Sequence, residues 1–187
     1  MKQAVVVALC VVACGKGGSG GSGGSGASAG GKDHPKWLSA KLVPTTVDAG
    51  HGTKMNVDVP EGLPQNTQSV EGPDWKTESD DGPRIHLWKR MKTFKTADEF
   101  AADVGADTKG PTLVQVAKTA LPDGRLEYVS AWNGNQHLDV TIWIPTDADH
   151  GVQASCHWFA KDPKEGTPDP DVIAWLKKVC ESVHAAS

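Results

Sequence analysis

Apolar and polar positions alternate with a period of two along several short stretches of this chain, and that period predicts β-strands. Met55, Val57 and Val59 alternate with Lys54, Asn56 and Asp58, which predicts a strand over 54–60, ended by Pro60. Pro60-Glu61-Gly62-Leu63-Pro64 reads as a turn, a second strand is expected over 74–79, and Asp80-Asp81-Gly82-Pro83 is a second turn. Over 84–90, Ile85 and Leu87 alternate with His86 and Trp88, the pattern of a strand partly covered on both faces. A run of four strands is expected at 112–120, 125–132, 135–144 and 152–160. Pro122-Asp123-Gly124-Arg125 separates the first two. Asn133-Gly134, a strong two-residue hairpin signal, separates the next two. Residues 33–52 are weakly patterned, and Trp37, Leu38, Leu42 and Val43 fit either a short helix or an extended arm.

Two stretches carry helical punctuation instead. Thr96-Ala97-Asp98-Glu99 is a capping box, with Thr96 as N-cap and Glu99 reaching back, and it predicts a short helix to about residue 104. Asp169 as N-cap and Pro170 at the first helical position open a longer helix. There Ile173, Leu176, Cys180 and Val183 form one apolar stripe, with Val172 and Val179 beside it, and the stripe must be buried against the sheet. The expected class is α+β: an antiparallel meander sheet with a short helix and a C-terminal helix packed on it. On the strand through 136–144, Leu138, Val140, Ile142 and Ile144 make one apolar face, while His137, Asp139, Thr141 and Trp143 make the other. One helix covers the first face, which leaves the second expected to be partly open.

The strand ending Val59-Pro60-Glu61-Gly62, the short Ala97-Asp98-Glu99-Phe100-Ala101 helix, the antiparallel meander and the closing helix together resemble the PsbP-like α-β-α sandwich. The likeness covers residues 54–183 and is one of order and pattern. That fold occurs in a photosystem extrinsic subunit, a Ran-binding nuclear-import factor and several bacterial lipoproteins. The resemblance implies a non-enzymatic binding or accessory role and transfers no site residue, since fold alone does not carry function.

The N-terminus changes the picture from a free domain to a tethered one. Lys2, the apolar run 4–12 and Ala13 form a secretory leader over 1–13, too short to span a bilayer. Val11-Val12-Ala13-Cys14 resembles the lipobox of bacterial lipoproteins, which implies a lipidated Cys14 and attachment to a membrane through that lipid. Gly15 after the cysteine favours the outer membrane over the inner one. Residues 15–31 are nearly all Gly, Ser and Ala, so 14–32 is expected to be the lipidated cysteine and a flexible spacer of roughly 20–25 Å r.m.s. span. Residues 33–187 are then one domain. The net charge of −4 becomes −5 when Lys2 leaves, and no basic run is present, which excludes an electrostatic nucleic-acid footprint. Seven tryptophans beside one tyrosine and three phenylalanines are expected mainly in the core.

Once the leader and lipid take Cys10 and Cys14, Cys156 and Cys180 remain, an even pair in an oxidising compartment, and a disulfide is expected. Their separation and the lack of a CxxC argue against metal or redox chemistry at the thiols. Gly50-His51-Gly52-Thr53-Lys54 lacks the spacing of a phosphate loop. Asp147, Asp149 and Gly151 look like a calcium-loop fragment, but Trp158 stands where the bidentate Glu belongs. A two-residue turn at Asn133-Gly134 would pair Tyr128 with Asp139 and Ser130 with His137. If the next hairpin pairs Asp139 with His157, the row Tyr128, Asp139, His157 crosses three strands, flanked by Trp143 and Trp132. Such a row is either a structural hydrogen-bond network or the floor of a ligand groove with aromatic walls.

The function expected from these residues is a lipid-anchored envelope module, non-enzymatic and without cofactor, that binds a partner protein or small ligand through Tyr128, His137, Asp139, Trp143 and His157. The alternatives are an envelope hydrolase using His157 and Asp139, and a metal-binding lipoprotein using some of His86, His137 and His157.

Overall fold

A computed structural model describes residues 35–78, 82–106, 113–132, 137–160 and 169–186. The leader, Cys14, the spacer, the Asn133-Gly134 turn and the loop 161–168 lie outside the described residues, as do Ser79 at the end of the second expected strand and Thr112. After a 3-10 turn at Lys36–Ser39 come β1 (Leu42–Asp48), β2 (Lys54–Pro60), β3 (Asp74–Trp75) and β4 (Pro83–Arg90). Helix α1 (Ala97–Ala106) precedes β5 (Val114–Ala120), β6 (Leu126–Trp132), β7 (His137–Pro145) and β8 (Gly151–Phe159). Helix α2 (Pro170–Glu181) and a short β9 (His184–Ala185) close the chain. The α+β class expected from the patterning is the one observed.

Two antiparallel sheets form. The larger has the order β3-β4-β8-β7-β6-β5, and the smaller has the order β1-β2-β9. The meander β5 to β8 is as expected, and β4 returns to pair with β8. Two strands are additions to the sequence reading. β1 falls in the weakly patterned stretch because it is an edge strand with four of its seven residues exposed, so no apolar alternation marks it. β9 has two residues, both exposed, and carries no period at all.

The main core lies between the larger sheet, the smaller sheet and α2. Ile85, Leu87, Val129, Ala131, Leu138, Val140, Ile142 and Ala154 meet Met55 and Val57 from β2 and Val172, Leu176 and Val179 from α2. Trp37 from the 3-10 turn packs on Trp175 and Trp158, with ring centroids 4.7 and 5.7 Å apart. The expected start of α2 is present: Asp169 accepts from the Asp171 amide at 3.0 Å, with Pro170 behind it. At α1 the Thr96 hydroxyl accepts from the Glu99 amide at 3.2 Å, while Glu99 reaches back to the Lys95 amide at 2.8 Å, one residue before the cap.

Cys156 on β8 and Cys180 on α2 are bridged, with Cα atoms 5.8 Å apart, so the helix is stapled to the sheet it covers. Closing a 24-residue separation removes denatured-state freedom amounting to about 3–4 kcal/mol on the chain-entropy account. The double variant Cys156→Ala/Cys180→Ala is therefore expected to lose about 3–4 kcal/mol in a urea titration under non-reducing conditions. An unchanged unfolding free energy would contradict this role for the bridge.

Candidate functional site

Alternation along the strands sends one set of residues away from α2, onto what is here the outer face of the larger sheet. From β6 this face takes Leu126, Tyr128, Ser130 and Trp132, and from β7 it takes His137, Asp139, Thr141 and Trp143. From β8 it takes Gln153, Ser155, His157 and Phe159, and from β4 Arg84, His86 and Trp88. Helix α1 covers one end of the face. Phe100 and Ala101 bury Leu126, Tyr128 and Trp143 in a second, smaller core, and Phe94 meets the Trp143 indole edge-on at 5.1 Å. Gly151 lies directly against that indole, where any Cβ would collide with the ring.

The observed register corrects the expected row. Asp139 pairs with His157 as expected, but across β6 it pairs with Ser130, while Tyr128 pairs with Thr141 and Trp132 with His137. The offset is two residues, because four residues, 133–136, separate the paired ends Trp132 and His137, rather than two. An even offset keeps every side chain on its expected face, so the face survives while the partners change. Tyr128 thus sits one row away, under α1. Burial, and then the Asp139 charge, push its hydroxyl above the ordinary tyrosine value. Trp143 is 1% exposed and cannot wall an open groove. The residues brought together at the uncovered end are His137, Asp139 and His157, all half-buried, with a potential ligand atom from each lying within 4.8 Å of the others.

Trp132, expected as a flank, is one aromatic wall, and Phe159 takes the place expected of Trp143. The His137 imidazole is stacked on Phe159 at 4.0 Å and on Trp132 at 5.7 Å, and it meets the His157 ring edge-on at 5.2 Å. Phe159 was missed in the sequence, although its position two residues beyond His157 on one strand puts it on the same face. His86, the third histidine of the metal alternative, is on the same face but outside this group; it stacks on Trp88 at 4.6 Å.

Two hydroxyls hold the Asp139 carboxylate, both on Oδ1: Ser155 donates at 3.0 Å and Thr141 at 3.1 Å. Burial pushes the carboxyl above its ordinary value, against the opposing effects of His137 and the two hydroxyls. Burial also lowers His137, to about 4, with His157 adding to the shift and Asp139 opposing it. Its Nε2 is buried and has no hydrogen-bond partner among the described residues. Serine, histidine and aspartate do come together here, but in the wrong order for nucleophilic catalysis. Ser155 gives its proton to Asp139 and lies 3.5 Å from His157 Nδ1, whereas an activated serine needs the histidine between it and the carboxylate. Asp147, from the calcium-like fragment, accepts from the Asp149 and His150 amides and so makes the turn between β7 and β8.

An antiparallel sheet flanked by helices, with a second small sheet against the inner core and a polar cluster at the uncovered end of the outer face, defines an α+β sandwich. Its likeness to known structures is to the PsbP-like fold. The solution structure of cyanobacterial PsbP (CyanoP) from Synechocystis sp. PCC 6803 superposes with a TM-score of 0.50 at 14% identity, covering 87% of this chain and 98% of that one. The crystal structure of LpqN, involved in cell envelope biogenesis of Mycobacterium tuberculosis, gives a TM-score of 0.49 at 12% identity, covering 78% of this chain and 92% of that one. No family model and no curated protein sequence matches the chain. At such identity the CyanoP likeness describes the fold alone.

A histidine lowered to about 4 is neutral throughout the physiological range. The ring resonances of His137 are therefore expected not to move between pH 7.5 and 5.5 in an NMR titration. A midpoint near the ordinary histidine value of about 6.5 would contradict its burial between the two aromatic rings.

Proposed function

We propose that this chain is a lipid-anchored protein of the bacterial cell envelope whose folded part is a non-enzymatic binding module, with its ligand site at His137, Asp139 and His157. The anchoring half rests on the leader and on Val11-Val12-Ala13-Cys14, followed by a Gly/Ser spacer long enough to lift the domain clear of the lipid. Gly15 favours the outer membrane. The binding half rests on one observation: a buried imidazole nitrogen of His137 that has no partner among the described residues, beside a carboxylate, on a sheet face whose other end is sealed by α1. Buried polar atoms are ordinarily paired, and an orphan beside a half-open cluster is what a bound ligand would satisfy. Catalysis by Asp139 and His157 is disfavoured by the Ser155 geometry, which spends the serine proton on the carboxylate.

Two measurements test the two halves. Wild-type protein is expected to incorporate radiolabelled palmitate and to fractionate with membranes, while Cys14→Ser does neither; an unlabelled wild type overturns the anchor. For the site, full-length wild type and a His137→Gln/Asp139→Asn/His157→Gln variant of equal melting temperature are used side by side to capture molecules from envelope extract, with small molecules and proteins both read by mass spectrometry. A species held by the wild type and lost from the variant is the expected result. Identical or empty captures overturn the site.

A further inference from the structure

We propose that the site is a divalent transition-metal centre of the zinc type, with one ring nitrogen each from His137 and His157 and a carboxylate oxygen from Asp139 as its protein ligands. This rests on the reading that the outer face is a binding site and names its ligand.

The donor set makes the choice of ion. Two imidazoles and one carboxylate suit zinc and its neighbours, and three protein ligands leave a fourth position for water or a further donor. Calcium and magnesium prefer all-oxygen sites. Thiolate-seeking ions have no donor here, because both described cysteines are tied in the disulfide. The strands supply the geometry. His137 and Asp139 are two apart on β7 and so share a face, and Asp139 lies directly across from His157 on β8. Ligand atoms around a zinc ion with bonds of about 2.0–2.2 Å lie roughly 3.3–3.6 Å apart. The observed spread, within 4.8 Å, exceeds that spacing by about 1.2–1.5 Å, and the proposal requires side-chain rotation to close the difference.

The surroundings are those of a held ligand set. Thr141 and Ser155 both donate to Asp139 Oδ1, which fixes the carboxylate in the way outer hydrogen bonds fix metal ligands. Trp132 and Phe159 fix the plane of His137. The charge pattern points the same way. Asp74 and Glu127, both fully buried, are paired with Arg84 at 2.8 Å and Lys177 at 2.8 Å, and Asp103 is paired with Arg90 and Lys92. Asp139 has a different kind of company among the described residues: two neutral hydroxyls, with imidazoles beside it. A divalent cation would supply the positive charge that the other buried carboxylates obtain from side chains.

The test is calorimetric titration of full-length protein, stripped with EDTA and dialysed in detergent, with zinc sulfate and separately with magnesium and calcium chloride. The expected result is one zinc per chain, no response to magnesium or calcium, and an affinity lowered about tenfold or more in each of His137→Gln, Asp139→Asn and His157→Gln. The absence of saturable zinc binding in the wild type overturns the proposal, as does equal affinity in well-folded variants. Should the substitutions unfold the protein, X-ray absorption at the zinc edge of the wild type decides: two imidazole nitrogens and an oxygen at about 2.0–2.2 Å support the site, and any other donor set removes it. If zinc fails while an envelope molecule is still lost from the triple variant, only the metal is wrong. If both fail, the outer-face site is wrong as well.

Discussion

The pairing of β7 with β8 is the constraint on which the rest of the molecule depends. Nine positions pair in unbroken register from His137 opposite Phe159 to Pro145 opposite Gly151. Because side chains alternate, that one register decides both faces at once. It sends Leu138, Val140 and Ile142, with Ala154 and Cys156, toward α2, and Asp139 with His157 to the opposite side. A slip of β7 by one residue would turn His137 and Asp139 into the main core and put Leu138, Val140 and Ile142 on the opposite face. The disulfide acts on the same ladder: it joins α2 to β8 at a residue paired with Val140, in the middle of the apolar face.

The outer face is divided by how it is covered. Where α1 lies, the face behaves as core, and Trp143, Leu126 and Tyr128 fill the space beneath Phe100. Beyond the helix the face is half open, and there the polar cluster sits between Trp132 and Phe159. The buried carboxylates follow this division. Glu127 on the inner side meets Lys177 from α2, and Asp74 at the sheet edge meets the forked guanidinium of Arg84. Each has a cation delivered by the neighbouring element. At the Asp139 end burial outweighs the opposing effects of His137 and the two hydroxyls and pushes the carboxyl upward, whereas Arg84 and Asn66 hold Asp74 below its usual value despite burial.

Most of this could be read in the residues, and the failures have specific causes. The meander, the Thr96 and Asp169 caps, the apolar stripe of α2 and the cysteine pair are local signals, and local signals carry over. The partner of Asp139 on β6 depended on the length of a connection. Asn133-Gly134 indicated a two-residue turn, and the observed pairing leaves four residues between the strands, which moved Tyr128 out of the row and brought Ser130 in. Trp143 was placed on the right face, but the pattern of one strand cannot say which part of a face another helix will cover. β1 was hidden by its exposed edge position, and β9 by its length. Phe159 is legible from its spacing to His157, since residues two apart on β8 share a face.

On the proposed function, this ladder assembles His137, Asp139 and His157 into one pre-formed site. The most direct measurement is a crystal structure of the protein grown with zinc, with diffraction recorded on both sides of the zinc absorption edge. The expected result is an anomalous peak bounded by these three side chains, with Asp139 opposite His157 and the β7–β8 register unchanged. A peak elsewhere on the surface with none here, or a register that separates the three residues, would contradict it.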